Sequence, residues 1–226
     1  MELPALLTVD EAAELLGRSP QAVRSMAASG DLDAVKRGNG WWLDALAVER
    51  RRRELPGRGR PLSPAMAWSV VLLASGEPEL AGRVVAEAHQ PSRARRWLRE
   101  HPLPEHFPRL RARAGRESFD AHPAEINRIL ARADVMPSGI SAADRVGLHG
   151  GAAAAEFYAP ASARAAIVDE HSLDAGHGPV LARWVPDELW PVVGAPRAPR
   201  AAVLLDLLEN DDPRARREAG RALGSG

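Results

Sequence analysis

Gln21, Arg24 and Ser25 stand three and four residues apart, and Lys36, Arg37 and Asn39 follow within fifteen positions. On a helix that spacing puts the first three on one face. Their chemistry suits a duplex: a guanidinium forks onto guanine, a carboxamide onto adenine, and hydroxyl and ammonium groups take phosphate oxygens. Other chemistries lack their residues. The absence of cysteine excludes disulfides, thiolate zinc sites and cysteine nucleophiles. Lys36 is the only lysine among 30 basic residues, and its place beside a glycine-bounded turn suits neither a P-loop nor a Schiff base. Seven histidines are scattered without a His-x-x-x-His pair, and His171 and His177 straddle a glycine-containing loop. They read as surface or core side chains, so no metal and no cofactor is expected.

The elements that must position these residues are written in caps and turns. Thr8-Val9-Asp10-Glu11 has the spacing of a capping box, and Leu7, Val9, Ala12, Ala13, Leu15 and Leu16 give the helix an apolar face. Gly17 ends it at a left-handed position. Ser19-Pro20 starts a second helix at once, with Ser19 as N-cap and proline where its missing N–H costs nothing. This helix, Pro20 to about Ala28, is expected to bury Ala22, Val23 and Met26 and to turn Gln21, Arg24 and Ser25 outward. Leu32 to Arg37 and Trp41 to Leu43 flank Gly38-Asn39-Gly40, the pattern of a hairpin. Two helices and a hairpin make a winged helix-turn-helix, with Lys36, Arg37 and Asn39 at the wing tip. Asp44 caps a third helix that ends in Arg50 to Arg53.

The run LLTVDEAAELLGRSPQAVRSMAASGDLDAVKRGNGWWLDALAVE resembles the excisionase-type branch of MerR-like winged helices, and covers about a fifth of the chain. That resemblance implies a second helix in the major groove and a wing against flanking backbone. It assigns duplex DNA to Ser19, Gln21, Arg24, Ser25, Lys36, Arg37 and Asn39. The tip RGNGWW departs by placing a second tryptophan where a cation is common. The same unit could instead dock another protein, since fold does not fix function.

Residues 57–62 form a basic linker. Arg58-Gly59-Arg60-Pro61 is the core of an AT-hook, whose arginines enter a narrow A·T minor groove, and it is equally an exposed connector. Charge is uneven although the net is zero: residues 1–116 carry 19 basic and 14 acidic residues, residues 117–226 carry 11 and 16. Ser92 to Arg99 reads as a short basic helix, either a second contact to DNA backbone, a surface for an acidic partner, or a solvated face. Pro64 to Ser75 reads as a strongly apolar helix and must be buried.

From residue 117 the pattern turns α/β: helices at Ala124 to Ala133, Ser141 to Val146 and Ala161 to Glu170, and strands at Ala153 to Tyr158 and Val180 to Val185. A helical end follows, with helices at Pro199 to Glu209 and Arg214 to Leu223 around the capping turn Asn210-Asp211-Asp212-Pro213. The fold class is therefore mainly α with a small β component, a winged helix-turn-helix over residues 1–56 followed by an α/β domain over 63–226. SAADRVGLHGG, FYAPAS with AIVDEHSL, VLARWVPDELWPV and VLLDLLENDDPRARREAGRAL resemble the back half of AbiEi-like antitoxins. That likeness implies an autorepressor that neutralises a nucleotidyltransferase-like toxin protein. His149, in Gly147-Leu148-His149-Gly150-Gly151, is similar to an esterase oxyanion loop, but no Gly-x-Ser-x-Gly elbow accompanies it. A binding protein, not an enzyme, is expected. Its partners are double-stranded DNA and a cognate toxin. Nothing resembles a signal peptide or membrane span, which points to the cytoplasm. A ligand-responsive regulator, using some of the six tryptophans as a pocket, and an architectural excision-type factor remain alternatives.

Overall fold

Local capping starts the first two helices where the sequence writes it. Thr8 accepts from the Glu11 amide while the Glu11 carboxylate takes the Thr8 N–H at 2.8 Å, a complete capping box. The computed structural model describes residues 6–38, 40–54, 60–84, 90–149, 154–176, 178–194, 196–210 and 212–224. The chain divides into two compact units, residues 1–57 and 58–226.

In the first unit β1 (Leu6–Thr8) leads into α1 (Val9–Leu16) and α2 (Pro20–Ser29). Gly17 closes α1 at φ 59°, and Ser19 caps α2 through the Ala22 N–H at 3.2 Å. The hairpin β2 (Ala34–Arg37) and β3 (Gly40–Asp44) follows, then α3 (Ala45–Glu54), capped by Asp44 onto the Ala47 N–H at 2.8 Å. Arg37 pairs with Gly40, so the turn has two residues, and its first, Gly38, takes φ 59°. A β-carbon would be strained there. The sequence pattern gives no strand at Leu6–Thr8. It forms because Leu7 lies opposite Leu43, which makes a three-stranded sheet in the order β1-β3-β2. Val9, Ala12, Leu16, Val23, Leu32, Leu43 and Val48 close the core. Each large apolar side chain among them contributes about 1.5–3 kcal/mol on burial.

The second unit begins with helices α4 (Pro64–Ala74), α5 (Pro78–Val84), α6 (Gln90–Glu100) and α7 (Leu103–His106), then a 3-10 run at Phe107–Arg113. Leu62, placed in the linker by the sequence, donates its backbone N–H to the Arg109 carbonyl at 3.0 Å and packs on this unit's core. Next come β4 (Gly115–Asp120), α8 (Glu125–Leu130), β5 (Met136–Pro137), a 3-10 run at Gly139–Val146, and β6 (Ala155–Pro160). A short 3-10 turn at Ala161–Ala163 precedes α9 (Arg164–Glu170), β7 (Asp174–Ala175) and β8 (Val180–Val185). The chain ends through α10 (Trp190–Val193), α11 (Arg200–Leu208) and α12 (Pro213–Gly224).

The strands form one mixed sheet in the order β5-β6-β8-β4-β7, with β6 and β8 parallel and the other pairs antiparallel. Alternation splits its faces. Phe157, Ala182 and Trp184 meet Ile126, Ile129 and Ile167 on one side. Tyr158 and Val185 join α4 and α11 on the other. Helix is the larger component and strand the smaller, as expected. The segment expected as a helix at Ser141 to Val146 is wound more tightly, as part of the 3-10 run.

Candidate nucleic-acid interface

α2 is pinned by its cap and by Val23 and Ala27, which are buried beneath it. Gln21, Arg24 and Ser25 are exposed on the opposite face, as the spacing predicts. Arg24 makes no ion pair with any described residue, and α2 itself contains no acidic side chain, so this face offers uncommitted donors. Ser19 is exposed too, but its oxygen already accepts the Ala22 N–H, leaving the hydroxyl proton as the group it can offer outward. Arg18 joins this surface, a residue that the cap and helix-face pattern does not single out. It is exposed in the turn before α2, and its backbone N–H closes α1 onto the Ala13 carbonyl at 3.0 Å. The signal was its position between the two caps.

The wing divides its cations. Lys36 and Arg37 are both exposed, but consecutive strand residues face opposite ways. Lys36 lies across from Trp41, with its ammonium 5.9 Å from the ring centroid, a cation–π pairing. Arg37 shares the outer face with Val35 and Trp42, both of which are solvent-exposed. The second tryptophan of the tip therefore stands in the open. Asn39 and Arg58 lie outside the described residues. Arg60 is exposed, and its carbonyl accepts from the Arg109 side chain at 3.4 Å. On α3, Arg52 is forked onto Glu49 by two bonds of 2.8 and 2.7 Å, so part of the arginine run is already neutralised. At the entry to α1, the Thr8 backbone N–H holds the Glu11 carboxyl below its ordinary range.

A second charged constellation, missed in the sequence, lies inside the larger unit. Asp206, fully buried on α11, accepts from Arg113 and from the Tyr158 hydroxyl at 2.9 Å, and forms an ion pair with Arg183 at 3.0 Å. Arg183 also lies 3.6 Å from Glu209 and 3.7 Å from Glu156. Burial pushes the Glu156 carboxyl up, while at Glu209 the guanidiniums of Arg113 and Arg183 outweigh burial and hold it down. All six side chains lie within the core, and they tie the sheet to α11 instead of opening to a substrate. The signal was an acid set among Val203, Leu204, Leu205, Leu207 and Leu208. Such a group demands a buried partner.

The remaining sequence candidates do not converge. His149 is exposed, His171 is buried with its Nδ1 2.7 Å from Glu125, and His177 lies outside the described residues. Among the described residues no three histidine or acidic side chains are arranged to hold a metal ion. Trp68 and Trp184 sit in two different cores. No described helix is long and apolar enough to cross a membrane.

Neither the curated proteins nor the solved structures offer a match to the chain. Residues 6–56 match the family described as helix-turn-helix domain, which puts a DNA-binding helix-turn-helix over the same stretch that the geometry marks out.

Proposed function

We propose that this chain is a sequence-reading transcriptional regulator of the MerR/excisionase-like type. The observation that carries the reading is the exposed, acid-free α2 stripe of Gln21, Arg24 and Ser25, set rigidly on a capped helix-turn-helix. In this reading α2 enters the major groove, where Arg24 and Gln21 read bases and Ser19 and Ser25 bond backbone. Lys36, Arg37 and Asn39 follow the flanking phosphates, and Arg58 and Arg60 enter the adjoining minor groove. The protein works in the cytoplasm by binding, without catalysis and without a cofactor.

The regulator acts as the autorepressing antitoxin of a nucleotidyltransferase-like toxin, a role supported by the likeness of the segments around Ser141, Phe157, Val180 and Val203 to such antitoxins. Duplexes selected from a random pool by the intact chain test the first part. Arg24→Ala should then weaken specific binding by about 1–3 kcal/mol and relax the preference at one base position. Unchanged affinity and preference would refute the assignment of α2. Co-expression with the product of the adjacent gene tests the second part, which fails if growth is not rescued from that product.

A further inference from the structure

The helix-turn-helix unit is a poor polycation. Residues 1–57 hold 8 basic and 9 acidic side chains, whereas residues 58–116 hold 11 basic and 5 acidic. Duplex binding draws its affinity largely from phosphate neutralisation, so a reader with this balance needs cations from elsewhere.

The second unit gathers them at one place. A hollow of about 190 Å³ is floored by Leu62, Met66 and Trp97, and Arg93, Arg96 and Arg109 line it. Its one acid is Glu100, whose carboxylate stands 4.0 Å from Arg96. The floor is stiff: the Trp97 ring stacks on His101 at 4.7 Å, and Arg109 lies 5.6 Å above it. Three guanidiniums against one carboxylate leave the hollow with an excess of positive charge. Arg93 and Arg96 are exposed at helical spacing on α6, and Arg93 has no ion pair among the described residues. Arg109 bonds the carbonyl of Arg60, so the hollow adjoins the point where the chain enters this unit from the helix-turn-helix. Five residues of chain, 55–59, separate Glu54 from Arg60, a reach of about 20 Å at full extension.

We propose that this hollow seats the phosphate backbone of the duplex whose bases α2 reads, so that the second unit supplies the electrostatic affinity that the first lacks. The proposal rests on the DNA-reading function above. Phosphate oxygens meet Arg93, Arg96 and Arg109 at the rim, and the sugar edge meets the apolar floor.

The test uses the intact chain and a 30-base-pair duplex selected by it, with affinity measured from about 50 to 200 mM salt. Each phosphate contact contributes about 0.9 to the slope of log affinity against log salt. Arg93→Ala with Arg96→Ala should flatten the slope by about 1.8, so the native loss of affinity over that range shrinks about tenfold, equally on selected and unrelated duplexes. Both side chains are exposed, so the melting curve should not move. Arg93→Lys with Arg96→Lys keeps the slope. Arg95→Ala with Arg99→Ala removes the same charge from α6 away from the hollow and leaves the slope nearly native. An unchanged slope in the first pair, or equal flattening by both alanine pairs, overturns the proposal. If Arg24→Ala erases sequence preference while Arg93→Ala with Arg96→Ala leaves the slope intact, this inference alone falls. If the native chain binds no duplex, both readings fall.

Discussion

Ser19 carries two demands on one oxygen. It caps α2 through the Ala22 N–H, and it stands exposed at the end of the helix proposed to approach DNA. An alanine would lose both, and the cap alone is worth about 1 kcal/mol. Aspartate separates them, because a carboxylate caps as well as a hydroxyl and suits the positive end of the helix dipole, but repels phosphate. Ser19→Asp should therefore keep the native unfolding midpoint while losing duplex affinity, and Ser19→Ala should lower both. Chemical denaturation beside a binding titration reads the pair, and an aspartate variant that binds like the native chain would remove Ser19 from the interface. Thr8→Ala is the control, since the same box at α1 costs about 1 kcal/mol of stability and lies on the helix that does not read bases.

At the scale of elements, what could be read from the sequence was what is decided locally. Thr8 and Ser19 cap their helices, and the Asn210 and Asp212 side chains bond the backbone N–H groups of Asp212 and Arg214 as the turn pattern predicts. β4 was not readable. Gly115 to Asp120 offers a single large apolar residue, Phe119, and becomes a central strand only because β8 and β7 bond it on both sides. Asp206 and Glu209 lie just before the capping turn, and sequence distance hides their partners Arg113 and Arg183, which come from a 3-10 run and from β8. The 3-10 run at Gly139–Val146 depends on the same network. Gly139 sits at φ 51°, and a β-carbon there would overlap the Glu156 carboxylate, which is held by the Ile140 N–H at 3.3 Å and by Asn210 at 3.1 Å. Gly139→Ala combines a left-handed backbone penalty of about 1–2 kcal/mol with displacement of a buried, bonded acid. It should destabilise the second unit by about 2–4 kcal/mol in denaturant, and a midpoint like the native one would show that Glu156 is free to move.

For the whole molecule, the buried network sets how stability follows pH. Glu209 is fully enclosed, and burial alone would raise its carboxyl, but Arg113, Arg183 and Arg111 together hold it below the ordinary value of 4.5. A group lowered on folding contributes stability that is fully present above its unfolded value and is lost as pH falls through its folded one. Glu156 runs the other way. Burial raises it, so it contributes most below pH 4.5, and that contribution drains as pH climbs towards its raised value. The two acids thus oppose each other across the acid range, and each can be isolated by an amide. Glu209→Gln leaves Arg183 and Arg111 with one less buried partner, which should cost about 3–5 kcal/mol at pH 7. That difference should shrink as the pH is lowered past 4.5, because the unfolded chain then takes up the proton first and the native carboxyl follows only once the pH has fallen through its lowered value. Glu156→Gln should instead leave the acid-range stability near native and flatten the loss that the native chain shows above pH 4.5. Denaturant midpoints of the three proteins from pH 3 to 8 decide it. A Glu209→Gln curve lying parallel to the native one at every pH would mean that this carboxylate is not the group whose ionisation holds α11 to the sheet.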